Sequence, residues 1–174
     1  MKKFLIINAD DFGMCHSMNK AIMDLFDMGL ISSASLMITC PWVIEAVDFC
    51  KYKKVDIGLH LTFTSEWKNY KWGPVVKGKV KLSITDTYGH FFETVEELEK
   101  RAEEGDIEDE IKAQIELAFK YGLAVSHIDN HMGSLYGFYG RTFLPLVFKY
   151  CKKYNLPFRL PRYLKDNFPD FLSL

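Results

Sequence analysis

The chain has 174 residues, of which 48% are hydrophobic and 26% are charged, and its formal net charge at pH 7 is −1. A chain of this length buries roughly two thirds of its unfolded surface, so we expect a single domain over residues 1–174. A nearly neutral chain without a basic stripe offers no counter-charge for phosphates, which argues against a nucleic-acid partner. No stretch approaches the roughly 20 apolar residues of a membrane helix, so no membrane partner is expected.

The amino terminus and the cysteines indicate a cytoplasmic protein. The apolar run after Lys2 and Lys3 stops at Asn8, which is too short for a signal peptide. The four cysteines lie far apart without a C-x-x-C pair, so neither a zinc knuckle nor a redox motif is predicted. We therefore expect reduced thiols and a cytoplasmic location.

Apolar runs alternate with helical patterns along the first third of the chain. The predicted strands are 4–7, 35–39 and 55–64, and the predicted helices are 19–28 and 42–49. Gly29 ends the first helix, and Pro41 suits the start of the second. Strands separated by helices predict βαβ units and a parallel sheet, and hence an α/β fold.

The segment 65–92 differs, because it is rich in aromatic residues and glycines and has no sustained period. We interpret it as a long aromatic loop or a small hairpin, and loops of this length are usually functional. Composition alone favours simple packing for Trp67 and Trp72. The alternative is that they line a sugar site.

Regular patterns return after this loop. Helices are predicted at 95–104, 106–121 and 141–154, and strands at 124–129 and 156–160. The many charges of the first two helices are interpreted as a solvent-facing side. Pro145 fits near the first turn of the last helix, and Pro157 places the last strand at an edge or at its start.

Polar side chains gather at three of the predicted strand ends, and they are Asp10, Asp11, His60, His127, Asp129 and His131. Ligands of parallel α/β proteins bind at the carboxyl ends of the strands, so we expect these residues to share one rim. Two adjacent carboxylates at a buried strand end are best explained by a cation or a shared proton.

Each cluster also has a structural interpretation. Asp10 and Asp11 alone fit a turn and a helix cap, and a lone histidine such as His60 is more often a hydrogen-bonded core residue. A single metal site explains all the clusters better than separate structural roles do. An Asp/His/His set offers one oxygen and two nitrogens with room for water, which is typical of a catalytic metal site. A second carboxylate beside the metal can take the proton from that water.

The segments NADDFG, GLHLTFTSEW and SHIDNHMGS resemble those of the YdjC/ChbG-like carbohydrate deacetylases, which belong to the polysaccharide deacetylase-like superfamily. The resemblance runs from residue 4 to about residue 160. It implies a deformed (β/α) barrel. Because family members continue beyond the point where this sequence stops, it also implies that the barrel is incomplete at the C-terminus.

The resemblance also implies roles for individual residues. Asp11, His60 and His131 match the divalent-metal ligands of the family, and Asp10 matches its catalytic base. The pair His127 and Asp129 matches a motif that lines the same site. Family members are described with magnesium, although two imidazoles suit zinc better.

The expected activity is metal-dependent hydrolysis that removes N-acetyl groups from amino sugars or chito-oligosaccharides. His127 is a candidate proton donor to the leaving amine, and Arg159 is a candidate contact for substrate hydroxyls. An N-acetylated amino sugar or oligosaccharide is therefore the expected partner. A homodimer is a further expectation, since an open sheet edge invites pairing with another chain.

Three alternative functions stay open. A phosphorelay receiver also holds magnesium with paired aspartates, but it needs an aspartate at the end of its third strand, where this chain carries His60. A catalytically inactive sugar-binding or assembly protein would keep the same scaffold and site. A different metal-dependent hydrolase would differ only in its substrate.

Overall fold

The computed structural model describes residues 3–78 and 82–161, and these form an α/β fold around one parallel sheet. The strands, in the order in which they lie in the sheet, are β1 (Asn8–Phe12), β2 (Ser33–Leu36), β3 (Ile57–Leu61) and β4 (Val125–Asn130). The helices are α1 (His16–Asp27), α2 (Val43–Lys53), α3 (Val95–Arg101), α4 (Glu104–Lys120) and α5 (Leu144–Tyr154). The predicted fold class is confirmed, and the sheet stays open over the described residues.

All three strand pairs are parallel, and strand order in the sheet follows chain order. Every residue of β2 and β3 is buried, as expected for central strands that are covered on both faces. The carboxyl ends of the four strands therefore meet at one edge, where the polar clusters were predicted to lie. Among the described residues, no helix is long and apolar enough to cross a membrane.

The first strand lies later than the sequence predicts. Residues 4–7 are outside any strand, and their side chains are 47–90% exposed. The register explains the shift, because Asn8 pairs with Ser33, the first residue of β2. Ile7 instead donates its N–H to the hydroxyl of Ser32 at 2.8 Å. The hydrophobic run thus precedes the point where its partner strand begins.

Other elements match the predictions with shifted ends. The predicted strand 55–64 shortens to β3, and the predicted strand 35–39 moves toward the amino terminus to become β2. The last predicted strand, 156–160, is reduced to one parallel bridge between Phe158 and Ile128. This bridge is backed by a hydrogen bond from the Ile128 N–H to the Pro157 carbonyl at 2.9 Å. The prediction that Pro157 marks an edge or a strand start agrees with this limited pairing.

The segment 65–92 forms a loop, as predicted. Its described residues contain no helix or strand, apart from an isolated antiparallel bridge between Thr85 and Phe91. The carboxylate of Glu110, on α4, accepts the backbone N–H groups of Val75 and Val76, each at 2.9 Å.

Glu110 is fully buried, so the prediction that the charges of α3 and α4 face solvent is wrong at this residue. It is also wrong at Glu99, whose carboxylate accepts the N–H groups of Tyr139 and Arg141. Loop N–H groups that are partly shielded from water need acceptors, and these two carboxylates supply them.

Candidate metal centre

A bulge in β1 brings two adjacent carboxylates to the same site. The pairing of β1 with β2 passes from Ala9 opposite Ala34 to Phe12 opposite Leu36, so Asp10 and Asp11 share one opposing residue. Asp11 has a φ of 61°, in the left-handed region that aspartate visits more readily than most residues. Neighbours in a regular strand point to opposite faces, and a bulge re-aims one of them.

Asp11, His60 and His131 converge on one point at the edge of the sheet. Asp11 Oδ1 lies 3.0 Å from His131 Nδ1 and 3.4 Å from His60 Nε2. One donor atom from each residue lies within 4.8 Å of the other two. Both imidazoles are almost fully buried, and their ring centroids are 5.4 Å apart. The structure thus brings together the three predicted ligands from β1, β3 and the turn after β4.

Asp129 fixes the orientation of the His60 ring. Its Oδ1 lies 2.5 Å from His60 Nδ1, and because a carboxylate only accepts, Nδ1 must carry the proton of this bond. In the neutral ring, the Nε2 lone pair is then free to face Asp11 and a cation. The Ser35 hydroxyl and the Arg159 Nε donate to Asp129 Oδ2 at 2.9 and 3.0 Å. Such hydrogen-bonded carboxylates commonly orient histidine ligands.

Asp10 lies beside this network through Arg159. The Arg159 Nη2 is 3.6 Å from Asp10 Oδ2, and the same guanidinium contacts Asp129. Asp10 is 56% exposed, so solvent and substrate can reach it. Arg159, which the sequence made a candidate contact for substrate hydroxyls, lies between two carboxylates.

His127 lies against β3 and is not part of the group formed by Asp11, His60 and His131. A Cβ at Gly58 would overlap the imidazole ring of His127, so the glycine leaves room for this ring. Among the described residues, the hydrogen bond of His127 is with the Ser126 hydroxyl, at 2.8 Å from Nδ1. This position gives no support to a role for His127 as proton donor.

The electrostatics of the three residues favour positive charge between them. Burial opposes ionisation of Asp11, but hydrogen bonds from His131 and His60 outweigh burial and hold the pKa of Asp11 well below its usual range. Burial also opposes the charged form of His60, yet its hydrogen bonds with Asp11 and Asp129 raise its pKa to about 9. The pKa of His131 is raised against burial by its hydrogen bonds with Asp11 and Glu66. A divalent cation between these residues would supply the positive charge that protons on His60 and His131 otherwise provide.

Glu66 is a site residue that sequence reasoning missed. Its two carboxylate oxygens lie 3.2 and 3.1 Å from His131 Nε2. The available signal was its position in GLHLTFTSEW, shortly after His60. A single glutamate in a loop of unknown path gave no reason to connect it with a histidine 65 residues later.

A chain of aromatic rings leads from His131 to the surface. Trp72 packs edge-on to His131 with centroids 6.2 Å apart, Tyr70 follows at 5.9 Å from Trp72, and Trp67 follows at 6.3 Å from Tyr70. Trp72 is only 3% exposed and donates its Nε1–H to the Thr64 carbonyl at 2.8 Å, which is a packing role. Trp67 is 48% exposed. Trp67 rather than Trp72 is therefore available to a ligand.

The donor set fits a divalent cation. One carboxylate oxygen and two imidazole nitrogens with outer hydrogen-bond partners form the ligand pattern of an open, catalytic site. Imidazole nitrogens favour zinc over magnesium, which prefers oxygen ligands. The residues that could hold such an ion are Asp11, His60 and His131.

Comparisons with known proteins find a matching family model and several similar proteins. The family model of YdjC-like proteins matches residues 4–171. A carbohydrate deacetylase from Geobacillus stearothermophilus is 31% identical over 180 aligned residues, which cover 98% of this chain and 68% of that protein. A carbohydrate deacetylase from Thermus thermophilus is 34% identical over 134 residues, which cover 77% of this chain and 46% of that protein.

A solved structure is also similar to this chain. It is a candidate cellobiose-phosphate cleavage protein from Enterococcus faecalis V583, with a TM-score of 0.81 and 28% sequence identity. The similarity covers 97% of this chain and 62% of that protein. The chain therefore spans between about half and two thirds of the length of these relatives.

Proposed function

The chain belongs to the YdjC-like family, and we propose that it removes N-acetyl groups from amino sugars or chito-oligosaccharides with a divalent cation held by Asp11, His60 and His131. The observation that carries this proposal is that Asp11 Oδ1 lies within 3.4 Å of one ring nitrogen of His60 and one of His131. Relatives named carbohydrate deacetylases support it. Because the chain spans only part of their length, activity of this chain is itself part of the proposal.

A bound divalent cation polarises an amide carbonyl and lowers the pKa of a water molecule. Residues of the chain orient the ligands and transfer the proton. Asp129 keeps His60 Nε2 facing the cation site, and Asp10 takes a proton from the attacking water as general base. The Arg159 guanidinium, 3.6 Å from Asp10 Oδ2, helps to hold that carboxylate in place.

The activity is tested by incubating the purified chain with N-acetylated chito-oligosaccharides and measuring released acetate and free amine. We expect product after addition of zinc or magnesium and none after a chelator. Oligosaccharide binding without product at any metal concentration would contradict the hydrolase proposal and favour an inactive sugar-binding protein. Assays with zinc and magnesium in parallel identify the cation that supports turnover.

We further propose that Trp67 stacks on a sugar ring next to the reacting one. It follows Glu66 directly in the chain and is the exposed end of the aromatic chain that starts at His131. Loss of an aromatic side chain that stacks on a nucleic-acid base costs about 1–3 kcal/mol, and we expect an effect of the same order for a sugar ring.

Trp67→Ala should therefore raise KM for an oligosaccharide by about tenfold, which is about 1.4 kcal/mol, with little change in kcat. Trp67→Phe keeps an apolar face and should recover most of the affinity. Steady-state kinetics on a monosaccharide and a longer oligosaccharide check the assignment. Equal KM values for wild type and Trp67→Ala on the longer substrate would show that Trp67 makes no substrate contact.

A further inference from the structure

We infer that Glu66 is a positioning residue that holds the Nε2–H of His131, so that His131 faces the cation with Nδ1. This inference rests on the proposed metal site and adds a residue and a ligand atom to it. It starts from the two nitrogens of the His131 ring, which have different partners. Nδ1 is 3.0 Å from Asp11 Oδ1, and Nε2 is 3.1 Å from Glu66 Oε2.

The geometry of the imidazole separates these two partners. The two ring nitrogens point in diverging directions, so a cation shared with Asp11 can bind only one of them. Asp11 Oδ1 is also the atom next to His60 Nε2, at 3.4 Å, so the common space lies on the Nδ1 side of His131. Among the described residues, the group of potential metal ligands contains these three residues and not Glu66.

Glu66 then has one chemical role that fits its contact. An ionised carboxylate accepts hydrogen bonds and donates none, so its contact with Nε2 requires a proton on that nitrogen. A neutral imidazole carries one N–H, and placing it on Nε2 leaves the Nδ1 lone pair for a metal. The pairing repeats what Asp129 does for His60 through the opposite nitrogen. Each histidine thus has a carboxylate on its outer nitrogen, an arrangement that orients metal ligands.

Hydrogen bonds of the preceding residue, Ser65, hold the backbone that leads into Glu66. The backbone N–H of Ser65 donates to the Phe92 carbonyl at 2.8 Å, and the Ser65 hydroxyl accepts the backbone N–H of Trp72 at 3.1 Å. The Lys71 ammonium donates to the Ser65 carbonyl at 2.8 Å. Because three groups of Ser65 are held, the path of the chain into Glu66 is defined before any cation binds.

The His131 ring is held from its other sides as well. The residue begins a 3-10 turn, His131–Gly133, in which Met132 and Gly133 both have positive φ values. Trp72 packs against the ring at 6.2 Å and His60 at 5.4 Å between centroids. A flip of the ring about its Cβ–Cγ bond would put carbon atoms in the places of the two nitrogens and break both carboxylate contacts, so the two nitrogens keep separate roles.

The inference is tested on the whole chain labelled with 15N-histidine. Long-range 1H–15N NMR spectra with added zinc should show His131 protonated at Nε2 and bound through Nδ1. Glu66→Ala should weaken zinc binding by about 10–100-fold in calorimetry, the usual effect of removing such a partner. Glu66→Gln keeps an acceptor oxygen for Nε2–H, so it should retain Nδ1 binding and lose less affinity. Glu116→Ala, at an exposed position on α4, is the matched control and should match wild type.

The outcomes separate this inference from the proposed function. Zinc bound through Nε2 of His131, or equal zinc affinity in wild type and Glu66→Ala, would contradict the role of Glu66 and leave the proposed function intact. Zinc bound through Nδ1 in a protein without deacetylase activity supports the role of Glu66 and contradicts the proposed activity. Failure of the wild-type chain to bind zinc or magnesium overturns both. Thermal melts of the variants show whether a loss of affinity reflects unfolding.

Discussion

Substitution of Asp10 by Asn is expected to lower kcat for deacetylation by about 10²–10⁴-fold, the usual contribution of a general base. The amide keeps the size of the side chain but accepts no proton at neutral pH. Metal affinity should stay close to that of wild type, because Asp10 lies outside the group formed by Asp11, His60 and His131. Turnover and metal binding are measured on the same preparation, by acetate release and by calorimetry.

The control for this substitution is Asp24→Asn, an exposed aspartate on α1 that pairs with Lys20. It removes one negative charge from the same end of the chain and should leave kcat unchanged. Full activity of Asp10→Asn would show that another group takes the proton. A parallel fall in metal affinity would instead make Asp10 part of the cation site.

The sequence predicted the order of strands and helices well, because local patterns determine it. β2 and β3 are short, fully buried runs between helices, and a parallel arrangement follows from that alternation. The start of β1 was misplaced, because the apolar run at residues 4–7 looks like a buried strand in isolation. Only the register with Ser33 shows that pairing begins at Asn8.

The convergence of the polar clusters could be predicted because they lie at strand ends, and parallel topology brings strand ends together. The choice of Asp11, His60 and His131 among these residues came from the family resemblance, and the structure places their donor atoms together. Glu66 and Arg159 could not be predicted in the same way. Their roles depend on how the segment after β3 turns back toward His131, and on how residues 157–159 lie along Ile128.

Buried charges on helices were a second limit of the sequence pattern. Glu110 looks like one of many charges on a solvated helix, because its partners Val75 and Val76 are in a loop without periodicity. Its buried neighbour Gln114 bonds both the N–H and the carbonyl of Thr62. Such tertiary hydrogen bonds connect the loop to the strand that carries His60. We infer one domain from this continuity and from the cluster of buried apolar residues that the described part of the chain shares.

Substitution of His60 by Ala is expected to reduce cation affinity by more than about 100-fold. That is the upper end of the usual loss when only the hydrogen-bond partner of a metal ligand is removed. The substitution removes one of three ligands and leaves Asp129 without its hydrogen bond from the imidazole. The second effect should lower stability by about 1–3 kcal/mol, as a buried carboxylate oxygen loses its partner. Calorimetric titration with zinc and thermal unfolding measure the two effects.

His60→Asn separates ligand loss from the stability effect. The amide nitrogen of Asn can take the place of Nδ1 and donate to Asp129, but the side chain has no counterpart of Nε2. This variant should therefore recover stability relative to His60→Ala and still fail to bind the cation. His90→Ala, on the exposed loop beside Asp86, should keep wild-type affinity because it removes a histidine from outside the site. Tight zinc binding by His60→Asn would mean that the cation is held elsewhere, because the proposed centre cannot keep its affinity with only Asp11 and His131.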